Sequence, residues 1–229
     1  ITGPVALVSL RPPRRQPAMS DSASSPVGIL GGTFDPVHYG HLRAAVEVRE
    51  LLGLGEVRLL PAASPPHRAA PAASAEHRLA MLERATACQE FLTADDCELR
   101  RSGPSYMVDT LAELHGRIPA NPLVLMIGQD AANGLDRWHR WKRLFELAHI
   151  AVMRRPGTNP DYRGELQEEM RKRRVNDPAA LPLSPAGSVI AVEITQLEIS
   201  ASAIRDKVEA GRSLHYLTPL PVIEYIRQH

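Results

Sequence analysis

The sequence is poor in cysteine, poor in aromatic residues and almost uncharged overall. Its 229 residues include two cysteines, Cys88 and Cys97, which exclude a disulfide framework and lack zinc spacing. No stretch reaches the roughly 20 apolar residues of a membrane span, so we expect no membrane partner. The 27 Lys+Arg against 26 Asp+Glu leave a formal charge of +1. That balance argues against extensive binding of the protein to the phosphate backbone of a nucleic acid.

The length predicts one good-sized domain, with or without a small appendage, at about 150 residues per domain. Residues 1–26 contain several prolines and serines and no regular pattern, so we expect a flexible N-terminal tail in which Met19 is a candidate start. Residues 27–229 are predicted to form a single domain. No secretory signal is recognised, and the two cysteines are expected to be reduced, which together indicate a cytoplasmic protein.

From Val27 onward, short apolar strands alternate with amphipathic helices. This alternation predicts an α/β fold of the Rossmann-like, doubly wound type, with a mostly parallel sheet and helices on both faces. Ligands of such sheets bind beyond the carboxyl ends of the strands. Strands are predicted at 27–30, within 91–99, and at 57–60, 123–127, 150–153 and 189–194; helices are predicted at 41–52, 74–88, 105–114, 138–147, 161–174, 200–210 and 219–228.

A glycine- and histidine-rich run, Gly31–His41, follows the first strand directly and opens a helix. Glycine lets the backbone approach a ligand, and the helix N-terminus favours negative charge. His38 and His41 are three residues apart and share a face if both lie in the first turn. The run predicts a triphosphate site, whereas the alternative is a glycine turn with two surface histidines. The residues expected to bind ATP here are Gly31, Gly32, Thr33, Phe34 and Gly40, together with the two histidines.

Two further segments follow predicted strands. Ser200 and Ser202 precede Arg205 at the start of a helix, which suits phosphate binding, although serine is also an ordinary helix cap. Gly128 and Asp130 follow the apolar strand 123–127, where a carboxylate can accept hydrogen bonds from a ribose or can simply cap a helix. We expect both segments to contribute to the ATP site.

The run G-G-T-F-D-P-V-H-Y-G-H closely resembles the signature of the nucleotidylyltransferase superfamily, and this variant looks like that of the bacterial nicotinate-nucleotide adenylyltransferases. The segment from Ile199 to Arg205 is similar to a second family signature, I-S-S-T-x-I-R, and the resemblance extends from Val27 to the C-terminus. It implies adenylyl transfer from ATP to nicotinate mononucleotide, giving deamido-NAD and pyrophosphate. It also implies Mg²⁺ held mainly by ATP phosphates. The implied catalytic residues are His38, His41 and Arg205.

The resemblance also implies residues for the mononucleotide. Trp138 would stack on the pyridine ring beside His139, and the loop tip at His67 and Arg68 would close on the anionic substrate. Three consecutive residues, Ser105, Tyr106 and Met107, would lie against the same substrate. Apart from the resemblance, Arg154, Arg155 and Pro156 follow another predicted strand near the expected crevice and form a further candidate phosphate contact.

The chain departs from the family at four positions. Ala201 and Ser202 stand where the family usually has Ser and Thr, Met107 stands where it usually has Thr, and His139 stands where it often has Tyr. Alternative substrates remain nicotinamide mononucleotide and phosphopantetheine. A non-catalytic nucleotide sensor and a nucleic-acid-binding relative of class I synthetases are the alternatives from other classes. The sequence leaves open a homo-oligomer.

Overall fold

A parallel sheet lies at the centre of the computed structural model, which describes residues 25–63, 70–154 and 159–229. Within these ranges seven strands pair in the order β3-β2-β1-β4-β5-β7-β6, and each neighbouring pair is parallel. The predicted doubly wound α/β fold is confirmed. The strands are β1 Val27–Gly32, β2 Glu56–Pro61, β3 Leu92–Ala94, β4 Leu123–Gly128, β5 His149–Arg154, β6 Arg174–Val175 and β7 Val189–Glu193.

Helices cover the sheet and follow most of its strands. None of those in the described ranges is long and apolar enough to cross a bilayer. The α-helices are α1 Tyr39–Leu52, α2 Ala75–Thr86, α3 Met107–Arg117, α4 Gln129–Ala132, α5 Leu144–Leu147, α6 Gly164–Lys172, α7 Ala201–Glu209 and α8 Leu220–Gln228. Short 3-10 helices occupy Leu135–Arg137, Trp141–Arg143 and Pro178–Leu183.

Alternating side chains of the central strands build two apolar cores. In β4, Val124 and Met126 face the core that includes side chains of α1, α2 and α8, whereas Leu125 and Ile127 face the core that includes α3, α5 and α6. Successive residues of a strand point to opposite faces, so a continuous apolar run such as 123–127 is buried on both sides. The predicted helices on both faces are thereby explained.

The predicted helix 138–147 is wrong over its first half. Trp138 instead follows a 3-10 helix, and Arg140 has φ of 52°, in the left-handed region that ends regular helix. The two tryptophans are three residues apart, which mimics helical periodicity. The two tryptophans have different surroundings. Trp138 lines a cavity, while Trp141 packs edge-on against Phe145 with 6.1 Å between the ring centroids.

The strand order reverses between β1 and β4. β2 and β3 lie on one side of this pair, and β5, β7 and β6 lie on the other. The loops that follow β1 and β4 therefore turn away from each other, towards opposite edges of the sheet. A crevice is left between them at the carboxyl ends of the two strands. The glycine- and histidine-rich run and the segment Gly128–Asp130 both begin at this crevice.

Candidate active site

One cavity of about 550 Å³, here called the histidine cavity, opens beside the ends of β1, β4, β5 and β7. It combines the start of α1 with the ends of four parallel strands. Its lining includes His38, Gly40, His41, Gly128, Asp130 and Arg154. The structure therefore brings together residues of two segments that the sequence predicts for ATP, with Arg154, a candidate phosphate contact, from a third. Ser200, Ser202 and Arg205 are not among the lining residues. Asp130 is exposed, and Arg154 is half-buried with its Nε buried and without a hydrogen-bond partner among the described residues.

His38 and His41 form a stacked pair at the start of α1. Their ring centroids are 3.6 Å apart with an interplanar angle of 27°. His38 is the N-cap residue, and its backbone N–H donates to Nδ1 of His41 at 3.3 Å. Because that nitrogen accepts a hydrogen bond, the proton of a neutral His41 imidazole sits on Nε2. The capping contact thus selects one tautomer of His41.

His38 is held as a neutral imidazole. Its side chain is buried, and burial lowers its pKa from 6.5 to about 4 because the charged form loses its hydration. Its Nδ1 is buried without a hydrogen-bond partner among the residues the structure describes. An unsatisfied buried polar atom is unfavourable. The atom therefore marks a place where a ligand or water could supply the missing partner.

Gly40 is required by close packing at the same helix start. A Cβ atom built on it would lie 3.0 Å from two atoms of the His38 ring and 3.6 Å from the Leu197 carbonyl oxygen. The contact with Leu197 is an ordinary one, but the His38 ring would have to move by a few tenths of an ångström to admit a side chain. The glycine of the H-x-G-H run is therefore explained by the space that His38 occupies.

Arg205 reaches the glycine- and histidine-rich run from α7. Its Nη1 donates to the backbone carbonyl of Asp35 at 2.6 Å and lies 3.6 Å from Oδ2 of the same residue. Ser200 caps α7 by accepting the N–H of Ala203 at 3.2 Å, and its Oγ is 3.3 Å from the Oγ of Ser202. Both serines are exposed, so capping does not prevent ligand contact.

A second cavity of about 310 Å³, here called the tryptophan cavity, adjoins the same strand ends. Apolar and aromatic side chains dominate it, and the rings of Tyr106 and His139 stack at 4.3 Å. All described residues that the sequence predicts for the mononucleotide line this cavity. His67 and Arg68, also predicted for the mononucleotide, lie outside the described residues, and so do Arg155 and Pro156. The lining includes Gly31, Gly32, Thr33, Ser105, Tyr106, Met107, Trp138 and His139.

Three residues predicted for ATP, Gly31, Gly32 and Thr33, thus line the tryptophan cavity. Phe34 is buried in the same turn with φ of 49°, and its ring meets the His41 ring edge-on at 5.0 Å. The turn after β1 therefore lies between the two cavities. The residues before and after it, Leu30 and His38, line the histidine cavity.

Glu98 is a buried carboxyl in the tryptophan cavity that sequence reasoning missed. It accepts a hydrogen bond from Thr110 Oγ1 at 2.8 Å, and burial raises its pKa above the usual range. Ser105 also accepts the backbone N–H of Ala63 at 3.0 Å, which fixes the start of α3 beside β2. Glu98 lies in a turn without periodicity, so no pattern marked it.

Asp35 and Arg78 were also missed as site residues. Arg78 is 1% exposed and donates to the Thr33 carbonyl at 2.8 Å, so it supports the turn after β1 from below. A usable signal existed, because Arg78 falls on the apolar stripe of α2 with Met81, Leu82 and Ala85. An arginine on an inward stripe needs a polar partner.

Comparisons with known proteins identify the family of this chain. Residues 29–207 match the family model described as cytidylyltransferase-like. A protein of Methylococcus capsulatus named "Probable nicotinate-nucleotide adenylyltransferase" is 49% identical over 88% of this chain and 97% of its own length. A protein of the same name from Pseudomonas aeruginosa is 47% identical over 89% and 95%.

Solved structures show the same fold at low identity. The Plasmodium falciparum nicotinic acid mononucleotide adenylyltransferase complexed with NaAD aligns with a TM-score of 0.64 and 17% identity, covering 89% of this chain and 95% of that one. A putative nicotinate-nucleotide adenylyltransferase from Vibrio parahaemolyticus aligns with a TM-score of 0.61 and 13% identity, covering 89% and 99%.

The match over residues 29–207 therefore places this chain, a nucleotidyltransferase, in the cytidylyltransferase-like family. Within that class, the chain belongs to the nicotinate-nucleotide adenylyltransferases, because several such relatives exceed 40% identity over most of its length. The resemblance found in the sequence is confirmed.

Proposed function

We propose that this chain transfers the adenylyl group of ATP to nicotinate mononucleotide, releasing pyrophosphate and forming deamido-NAD. The observation that carries the proposal is a pair of cavities on the two sides of the turn after β1, one lined by histidines and one by aromatic rings. A reaction between two nucleotides needs two adjacent sites, because the attacking phosphate of one must reach the α-phosphorus of the other. Membership of the adenylyltransferase family supports the same reaction.

The histidine cavity is assigned to ATP. The phosphate of the mononucleotide attacks the α-phosphorus, and the bond to the bridging oxygen of pyrophosphate breaks. The attacking group is already anionic, so positioning and charge stabilisation are needed more than a strong base. His41 donates from Nε2 to the α-phosphate or bridging oxygens, and the backbone N–H of His38, which donates to Nδ1 of His41, holds His41 in that tautomer.

Among the other ATP contacts, Asp130 and Arg154 line the histidine cavity, whereas Arg205, Ser200 and Ser202 do not and are assigned from the sequence. Arg205, Ser200 and Ser202 are assigned to the β- and γ-phosphates, since a guanidinium and hydroxyls at a helix start favour phosphate oxygens. Asp130 is assigned to a ribose hydroxyl beside Gly128. Arg154 adds positive charge at the end of β5.

The tryptophan cavity is assigned to the mononucleotide. Trp138 offers a ring for stacking on the pyridine, and the Tyr106–His139 stack forms another aromatic wall. The side chains of Ser105 and Met107 lie at the start of α3, whose backbone favours an anion. The loop residues His67 and Arg68 are assigned to the same substrate from the sequence.

Mg²⁺ is proposed to enter with ATP. Within residues 25–63, 70–154 and 159–229, no group of three or more His, Cys, Asp or Glu side chains is placed to hold a metal ion. In this proposal phosphate oxygens and water hold the ion, which suits the hydrated character of Mg²⁺. When bound, the ion would neutralise phosphate charge.

The proposed function is tested by pyrophosphate release with ATP and each candidate co-substrate in turn. Nicotinate mononucleotide should give the fastest turnover, followed by nicotinamide mononucleotide, with phosphopantetheine giving none. Phosphopantetheine as the preferred substrate would contradict the assignment of the tryptophan cavity. Binding of ATP without turnover on any co-substrate would favour a nucleotide sensor.

A further inference from the structure

Asp35 lies within the glycine- and histidine-rich run but is not among the residues that line either cavity. Its side chain is buried, with 4% of its surface exposed. The two carboxylate oxygens accept the backbone N–H groups of Ala72 at 2.7 Å and Ala73 at 3.2 Å. A buried carboxylate needs such partners, so Asp35 ties the segment before α2 to the turn after β1.

The backbone of Asp35 makes a second connection, to the ATP site. Its carbonyl oxygen accepts from Arg205 Nη1 at 2.6 Å, and its Oδ2 lies 3.6 Å from the same nitrogen. Any movement of the Arg205 guanidinium on binding phosphate therefore acts directly on Asp35. The contact joins two segments that are 170 residues apart in the sequence.

The segment tied by Asp35 is connected in turn to the tryptophan cavity. Arg78 donates to the Ala73 carbonyl at 3.3 Å and to the Thr33 carbonyl at 2.8 Å. Thr33 lines the tryptophan cavity. A continuous set of hydrogen bonds therefore runs from Arg205 through Asp35 and Ala73 to Thr33.

We propose that Asp35 is a positioning residue that couples the two substrate sites. Phosphate bound by Arg205 fixes Asp35, and Asp35 fixes the backbone at 72–73 and, through Arg78, the Thr33 side of the tryptophan cavity. Each substrate thereby raises the affinity for the other, because coupling between binding sites is reciprocal. The inference rests on the proposed assignment of one substrate to each cavity.

The coupling is measured by calorimetric titration of a non-hydrolysable ATP analogue with and without saturating nicotinate mononucleotide. The wild-type chain should bind the analogue at least about fivefold more tightly when the mononucleotide is present. Asp35→Asn keeps the size and the carbonyl that meets Arg205, but removes the charge and one acceptor. In that variant the ratio should fall below about twofold, which a purely structural loss would not produce.

Glu47→Gln is the matched control. Glu47 is also a buried carboxylate that accepts a backbone N–H, that of Thr195 at 2.6 Å, and Thr195 lines the histidine cavity. Glu47 makes none of the contacts that lead to Thr33. The control should weaken binding of the ATP analogue and leave the coupling ratio at the wild-type value.

A wild-type ratio near one, or an unchanged ratio in Asp35→Asn, would overturn the proposal. If Asp35→Asn does not fold, the proposal is tested instead by amide hydrogen exchange of the wild-type chain with and without the ATP analogue. The ATP analogue alone should slow exchange at the amides of Ala72 and Ala73, and unchanged exchange there would also overturn it. Pyrophosphate release by the wild type tests the proposed function separately, since turnover can proceed without coupling.

Discussion

The histidine cavity and the tryptophan cavity meet at the turn after β1 but differ in the chemistry of their linings. The first presents imidazoles, Arg154 and Asp130, and the second presents the rings of Tyr106, Trp138 and His139 around one buried carboxyl, Glu98. Groups of the first kind stabilise charge that develops on phosphate, whereas aromatic walls bind a ring. Changes in the first should therefore act on turnover, and changes in the second on substrate affinity.

The largest effect is expected from His41→Ala. Loss of the Nε2 donor should lower kcat by about 10²- to 10³-fold while the fold survives, because a placed donor is worth most in the transition state. Steady-state kinetics and a thermal melt check both parts. His215→Ala, at an exposed histidine, is the control. Wild-type turnover in His41→Ala would break the contrast between the cavities.

The second effect is a loss of stability in acid that depends on His38. Its folded pKa of about 4 lies below the unfolded value of 6.5, so the unfolded state binds more protons between these values. Stability should therefore fall as pH drops from about 6.5 to about 4, by up to about 3 kcal/mol, and should level off below that range.

Urea denaturation of the wild type and of His38→Asn across this pH range isolates the contribution of His38. Asparagine can also cap a helix and does not titrate, so the variant should lose that part of the pH dependence. His149 is a second buried histidine with a lowered pKa, and it contributes equally to both proteins. Parallel stability curves for the two proteins would contradict a neutral, buried His38.

The third effect concerns the tryptophan cavity and the affinity for the mononucleotide. Trp138→Ala should raise KM for the mononucleotide about tenfold and leave KM for ATP nearly unchanged, since stacking on one base is worth roughly 1–3 kcal/mol. Trp141→Ala is the control, because Trp141 packs against Phe145 and is absent from the lining of the tryptophan cavity. Equal changes in both KM values for Trp138→Ala would indicate a structural tryptophan.

The smallest effects compare two glycines. Gly40→Ala should lower kcat/KM about tenfold, because the added Cβ would lie 3.0 Å from the His38 ring and displace it. Gly116→Ala, in α3 with nothing within 4 Å of an added Cβ, should instead raise stability by about 0.5–1 kcal/mol. Chemical denaturation and kinetics on both variants measure these changes. A fully active Gly40→Ala would refute the packing argument.

How much the sequence predicted differs between the cavities for physical reasons. Part of the lining of the histidine cavity comes from contiguous runs next to strands, His38–His41 and Gly128–Asp130, so local pattern could predict that these runs lie close together. The helix predicted at 138–147 was wrong because the spacing of Trp138 and Trp141 does not report the left-handed turn at Arg140. The strand β6 has two residues, too few for a pattern.

Residues that act through long-range contacts were beyond local patterns. Asp35 meets Ala72 and Ala73, and Arg78 meets Thr33, across more than 35 residues of sequence. Such partners are known only once the sheet brings β1 and α2 together. The structure therefore added the supports of the site, while the sequence supplied most of the residues assigned to the substrates.

A crystal structure of the protein with bound deamido-NAD tests the central claim most directly. The dinucleotide should span both cavities, with its adenosine end beside Gly128 and Asp130, its pyrophosphate at the turn after β1, and its pyridine against Trp138. A dinucleotide bound within one cavity alone, or on a different surface, would contradict the assignment of one substrate to each cavity.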